Sequence, residues 1–119
     1  MALVDNDFGP DGGECLGIAL AQNSTLLHLR VSENDLHTEG ALPIIKNAIN
    51  LESLNLAKNF IKSDAGKPVA KLLKATSNLQ KLQLEFNELM LDGARWVAKG
   101  LLKNHTLTCL NLKGNIIGD

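Results

Sequence analysis

Leu79-Gln80-Lys81-Leu82-Gln83-Leu84-Glu85-Phe86-Asn87-Glu88-Leu89 spells L-x-x-L-x-L-x-x-N-x-L, and the pattern recurs along the chain. Residues 26–36 read LLHLRVSENDL, 51–61 read LESLNLAKNFI and 107–117 read LTCLNLKGNII. A truncated copy opens the sequence, with Leu3, Asn6 and Phe8 at the last three signature places. The signature asparagines are Asn6, Asn34, Asn59, Asn87 and Asn115, at steps of 28, 25, 28 and 28 residues. Self-similarity at this period denotes stacked units, none of which buries its apolar face alone.

A second block repeats between the motifs. Gly93-Ala94-x-x-Val97-Ala98-x-x-Leu101 spaces its apolar residues three and four apart, as one face of a helix does. Ala65-Gly66-x-x-Val69-Ala70-x-x-Leu73 and Gly12-Gly13-x-x-Leu16-Gly17-x-x-Leu20 match it. With a strand motif and a helix in each 28-residue unit, nearly the whole chain resembles the ribonuclease-inhibitor-like subfamily of leucine-rich repeat proteins. The resemblance implies an α/β fold, a leucine-rich repeat solenoid or horseshoe segment. Its parallel sheet lies on the concave face and its helices on the convex face. One domain of about four repeats with partial terminal units would span residues 1–119.

Within each motif, the leucines at places one, four and six are expected to point between sheet and helices. The asparagine at place nine can donate to and accept from backbone groups left unpaired where the strand bends away. Asn34, Asn59, Asn87 and Asn115 should therefore form a structural ladder. Places two, three, five, seven and eight are left to face the concave side. From them come the candidate partner-binding residues Leu27, His28, Arg30, Glu33, Glu52, Asn55, Lys58, Lys81, Gln83, Glu85, Phe86, Asn111 and Lys113. Ser32, Ser53, Ala57, Gln80, Thr108, Cys109 and Gly114 share those places. Phe86 reads either as an aromatic anchor among polar contacts or as a cover for the strand-to-loop bend.

Composition narrows the function. Hydrophobic residues make up 45% of the chain, but only Phe8, Phe60, Phe86 and Trp96 are aromatic. A net charge of −1 with no basic run argues against nucleic acid. No apolar stretch reaches the ~18 residues of a membrane span, and the acidic start does not read as a signal peptide. Cys15 and Cys109 fall in units at opposite ends of the array, too far apart to bridge. Reduced thiols without cysteine-rich caps point to the cytoplasm.

No nucleotide-binding, hydrolase or zinc-protease motif is present, and no cofactor is expected. His28, His37 and His105 fall on a strand, a loop and a helix-to-strand return, without metal-ligand spacing. Asn23-Ser24-Thr25 and Asn104-His105-Thr106 read as turn chemistry at equivalent strand entries, in preference to glycosylation sites.

Several local expectations follow. Asp11 should cap the first helix. The short second unit should lose its three residues inside its helix, where about one turn can go without rotating the apolar face. Pro43 should sit near the start of that helix. Trp96, beside the inward face of Val97, Ala98 and Leu101, should either pack back on the third unit near Pro68 and Leu72 or stand partly exposed, the former being favoured by the area a tryptophan exposes.

Three functions are consistent with this reading. The first is a non-enzymatic protein-interaction module or scaffold that uses the concave strand face. The second is a structural subunit docking end-on, with itself or within a larger complex, through apolar residues of its outer units. Leu3, Phe8, Leu16 and Leu20 lie on one side, and Leu107, Leu110, Leu112, Ile116 and Ile117 on the other. The third is a GTPase-activator-like regulator, against which stands the lack of arginine in residues 35–39, 60–64 and 88–92.

Overall fold

The structure, a computed structural model, describes residues 1–115. Ile116, Ile117 and the end of the fifth motif lie outside the described residues. Helices and strands alternate: α1 (Gly9–Gln22), β1 (His28–Arg30), α2 (His37–Lys46), β2 (Ser53–Asn55), α3 (Gly66–Ala75), β3 (Lys81–Gln83), α4 (Met90–Leu101) and β4 (Cys109–Asn111). A 3-10 turn, Ser63–Ala65, leads into α3. The strands form one parallel sheet in the order β1-β2-β3-β4. Its register puts Leu29, Leu54, Leu82 and Leu110 side by side. At the β1 edge the opening segment adds one more parallel bridge, Ala2 to Arg30, so the truncated first copy joins the sheet.

The signature leucines make the core. Leu29, Val31, Leu54, Leu56, Leu82 and Leu84 are buried, with Leu51 and Leu79 beneath them. Each such side chain contributes about 1.5–3 kcal/mol by leaving water. From the helix layer, Ile44, Ile45, Val69, Leu73 and Val97 meet them. The β4 row is less enclosed: Leu107, Leu110 and Leu112 are half-buried.

Each strand is only three residues long because the chain turns into a left-handed backbone at place eight. Asp5, Glu33, Lys58 and Phe86 have φ between 56 and 60°, and Gly114 has φ 74°. This bend turns the preceding carbonyls inward, and the asparagine meets them. Asn59 Nδ2 donates to Leu56 O and Ala57 O of its own unit and to Val31 O of the unit before. Asn87 repeats this with Leu84 O, Glu85 O and Leu56 O, and Asn115 with Leu112 O, Lys113 O and Leu84 O. Asn34 donates to Val31 O, Ser32 O and Leu3 O. The other end of each amide accepts. Asn87 Oδ1 takes the N–H groups of Asn59 and Ile61, at 2.8 and 3.1 Å. The expected ladder is present, and all four members are buried. Asn6 is exposed, its side chain donating only to Val4 O.

Strand entry uses a second side-chain device. Asn23 Oδ1 accepts from Thr25 N and Leu26 N, Asn104 Oδ1 from Thr106 N and Leu107 N, and Thr76 Oγ1 from Asn78 N and Leu79 N. Ala48 holds that place in the second unit, and its backbone carbonyl takes Leu51 N instead. The two Asn-x-Thr tripeptides therefore serve as turns.

The helices stack in two close pairs. A Cβ added to Gly13 of α1 would stand 2.2 Å from the Gly40 carbonyl oxygen of α2. One added to Gly66 of α3 would stand 2.9 Å from Gly93 Cα of α4. Helix separation follows the side chains at the contact, and glycine permits backbone against backbone. Contact between α2 and α3 is much sparser.

Several local expectations are corrected here. The first helix starts at Gly9, with Phe8 in the capping position, so Asp11 lies in the first turn and caps nothing. Pro43 is the seventh of ten residues in α2, not near its start. It lies over Gly17, where an added Cβ would come within 2.5 Å of Pro43 Cβ. The proline removes one hydrogen bond of α2 and packs closely on α1. His37 is the first residue of α2 instead of a loop residue. Ala98 is exposed, while Val97 alone of its trio is fully buried. Trp96 does pack toward the third unit, but against Gly66 and between Lys67 and Lys99, whose ammoniums lie 5.7 and 4.6 Å from its ring. Pro68 and Leu72 face away from it, toward α2.

Asn87→Ala is expected to lose about 1–3 kcal/mol in urea denaturation, because it leaves buried carbonyls and N–H groups unpaired. Asn6→Ala should change stability far less, and equal small losses at both sites would contradict the ladder. Gly13→Ala is expected to cost about 1–3 kcal/mol by overpacking the α1–α2 contact, despite the higher helix propensity of alanine. A neutral or stabilising result in the same melts would show that the two helices can separate freely.

Candidate functional site

The strand side of the sheet is a shallow hollow of about 530 Å³. Nine of the residues anticipated for partner binding line it. His28 and Arg30 come from β1, Glu33 and Lys58 from the bends, Asn55 from β2, Lys81 and Gln83 from β3, and Glu85 and Phe86 from the third bend. Pairing in register aligns them into rows, so that His28, Ser53, Lys81 and Cys109 stand abreast, as do Arg30, Asn55, Gln83 and Asn111. The remaining four residues lie outside the hollow. Asn111 and Lys113 extend it toward β4 through contacts with Glu85 and Phe86. Leu27 and Glu52 precede their strands, and their carbonyls accept backbone N–H groups of the next unit.

Place seven departs from the expected pattern. Ser32 and Ala57 are buried, not solvent-facing. The left-handed turn at place eight draws the backbone inward just there, leaving room for a small side chain in the first rows. In the third row the place holds Glu85, half-buried, whose Oε2 accepts from Gln83 Nε2 at 3.3 Å and Asn111 Nδ2 at 3.2 Å. Glu85 Oε1 and Ser32 Oγ are buried with no hydrogen-bond partner among the described residues.

Charge across the face is mixed and sparsely paired. Lys58 Nζ lies 3.6 Å from Glu33 Oε1, and both side chains are half-exposed. His28 Nδ1 and Ser53 Oγ are 2.7 Å apart. Among the described residues Arg30 and Lys81 form no ion pair. Met1 also lines the hollow, its ammonium donating to His28 O, a neighbour that reading the motif alone did not place there.

Phe86 sits at the rim and is 47% exposed. Lys58 Nζ lies 5.6 Å from its ring centroid on one side, and Lys113 Nζ 5.9 Å on the other. The ring rests on Gly114, where an added Cβ would meet it at 2.4 Å. Thus Phe86 covers the next unit's bend and still presents apolar surface between two cations. The two readings of this residue are compatible. A cation over an exposed ring is worth about 0.5–1 kcal/mol, and these lysines hold the ring's environment more than the fold.

A family model described as Leucine Rich repeat matches residues 22–44 and 103–119. Those segments contain the second and fifth copies of the motif. A search of curated proteins gives no match. Among the described residues no helix is long and apolar enough to cross a membrane.

Arg30→Ala is expected to change unfolding free energy by less than about 0.5 kcal/mol and Lys58→Ala by no more than about 1 kcal/mol, because unpaired surface cations, exposed ion pairs and exposed cation–ring contacts contribute little. Chemical denaturation will check this, and a loss above that level would assign them a part in the array itself. The repeated parallel strand–helix unit and the two matched segments together support a leucine-rich repeat fold.

Proposed function

We propose that this chain is a single-domain, non-enzymatic interaction module of the ribonuclease-inhibitor-like type, holding a protein partner on its concave strand face. Leucine-rich repeat domains generally mediate protein–protein interaction. The observation that carries the assignment to this face is Phe86. It is a half-exposed aromatic at the rim of a polar hollow, held between Lys58 and Lys113. Interfaces concentrate binding energy in such aromatic and arginine anchors, with polar groups around them setting orientation. Arg30, exposed on β1 and without an ion pair among the described residues, supplies a second anchor. The subfamily assignment rests on helix-bearing units of 28 residues. Cytoplasmic residence, as a scaffold, is part of the same proposal and is consistent with two free, exposed cysteines.

End-on docking is a second reading. Its support is the contrast between Leu110 and Leu112, half-buried, and the enclosed Leu82 and Leu84 of the preceding row. A further repeat surface stacked on β4 would enclose that row as β3 is enclosed.

The test separates the two. A pull-down from cell extract with the wild-type chain and Phe86→Asp identifies proteins held through this face. Binding of such a protein to Phe86→Ala and Arg30→Ala is then measured by titration calorimetry. At least one substitution should cost more than about 1 kcal/mol. If both leave affinity within about 0.5 kcal/mol, the concave face is not the site. Loss of binding on Leu110→Asp instead would favour end-on docking.

A further inference from the structure

The helix layer is interrupted at one place. α1 lies on α2 and α3 on α4 through glycine contacts, but between α2 and α3 no glycine is interposed. A furrow of about 380 Å³ opens there on the convex side. Its floor is apolar, formed by Ile45 and Ile49 from the end of α2 and the following return, and by Pro68, Leu72 and Ala75 of α3. The α3 residues recur at three- and four-residue spacing, so one whole stripe of that helix faces the gap. Ile49 is exposed, which is unusual for an isoleucine beside a packed helix layer. The furrow lies at the unit that is three residues short, where α2 ends after ten residues.

The rim of the furrow is basic. Lys46, Lys67 and Lys71 border it, and no acidic residue does. Among the described residues none of these ammoniums pairs with a carboxylate. Lys67 reaches toward Trp96 of α4, leaving Lys46 and Lys71 as the cations nearest the apolar floor.

We propose that this furrow is a second docking site, separate from the concave face, for a short amphipathic protein segment with apolar residues on one side and flanking carboxylates. Charge complementarity carries the choice of occupant. An apolar floor needs an apolar row, and the two lysines nearest it, Lys46 and Lys71, need anionic neighbours for it. A trough between two helices admits a single row of side chains, the arrangement by which amphipathic helices enter grooves. A flat anionic bilayer would reach the lysines and leave the recessed Leu72 untouched. The concave face carries both signs of charge, so the two faces select different partners.

The probe is a fluorescein-labelled amphipathic peptide of leucine and glutamate, compared with counterparts in which glutamine or lysine replaces every glutamate. Anisotropy titrations with the whole chain should show binding of the glutamate peptide. Affinity should fall about tenfold or more for the glutamine and lysine peptides, since rim charge governs both attraction and selectivity. The double variant Lys46→Glu/Lys71→Glu and the variant Ile49→Asp should lose binding by a similar factor, while Arg30→Glu on the concave face should not. Amide shifts of the labelled protein should move at Ile45, Ile49, Leu72 and Ala75. Unchanged circular dichroism of the variants will show that they fold. The proposal is overturned if no peptide binds at millimolar concentration, or if the shifts map elsewhere. It is also overturned if the double variant binds as the wild type does, or if only phosphatidylserine vesicles are retained.

Discussion

One buried amide per repeat is the constraint on which the rest depends. A strand that ends after three residues leaves carbonyls facing the core, where an unpaired polar group costs about 1–3 kcal/mol. Asparagine supplies two donor hydrogens and an acceptor on the shortest side chain that can span that bend. Asn59 and Asn87 use both ends, binding carbonyls of their own and the preceding unit while accepting from the preceding unit's backbone. Each amide therefore closes its own turn and ties two units together. Glutamine would place the same groups one methylene too far, and aspartate could not donate.

The helix layer obeys a looser rule. Sheet register is fixed by backbone bonds, but helices above it approach only as their contacting side chains permit. Gly13 against Gly40, and Gly66 against Gly93, bring two pairs close. Shortening the second unit leaves the sheet spacing unchanged, since β1 and β2 pair in the same register as β2 and β3. On the convex side α2 and α3 are separated by an apolar furrow.

What could be read from the sequence follows this division. The core leucines and the asparagine ladder are legible because each place tolerates few side chains. Leu54, Leu82, Asn59 and Asn87 are found as expected. The bend at place eight is not legible, because Asp5, Glu33, Lys58 and Phe86 share no property there; only Gly114 hints at positive φ. Unaware of that bend, a reading by strand alternation turns Ser32 and Ala57 outward, whereas they are buried. Asp11 and Pro43 are misplaced for a related reason. In these units the helix follows Phe8 and Leu36 directly, without the loop that a capping residue would end. The glycine pairs are visible in the sequence block, but their partners are in the neighbouring unit and only stacking reveals them.

Places that hold the array together and places that could hold a partner are interleaved residue by residue, yet they scarcely interact. Along β2, Leu54 is enclosed while Ser53 and Asn55 on either side of it are partly open. Side chains on the open places can therefore vary with little effect on stability, and this freedom is what allows one scaffold to serve many recognition tasks. Phe86 marks the limit of that independence. Its ring lies on Gly114, so enlarging the glycine would displace the aromatic, and moving the aromatic would uncover a bend. There a candidate recognition residue and the next bend draw on the same contact, as Asn55 and Asn111 also do by accepting Ala57 N and Lys113 N.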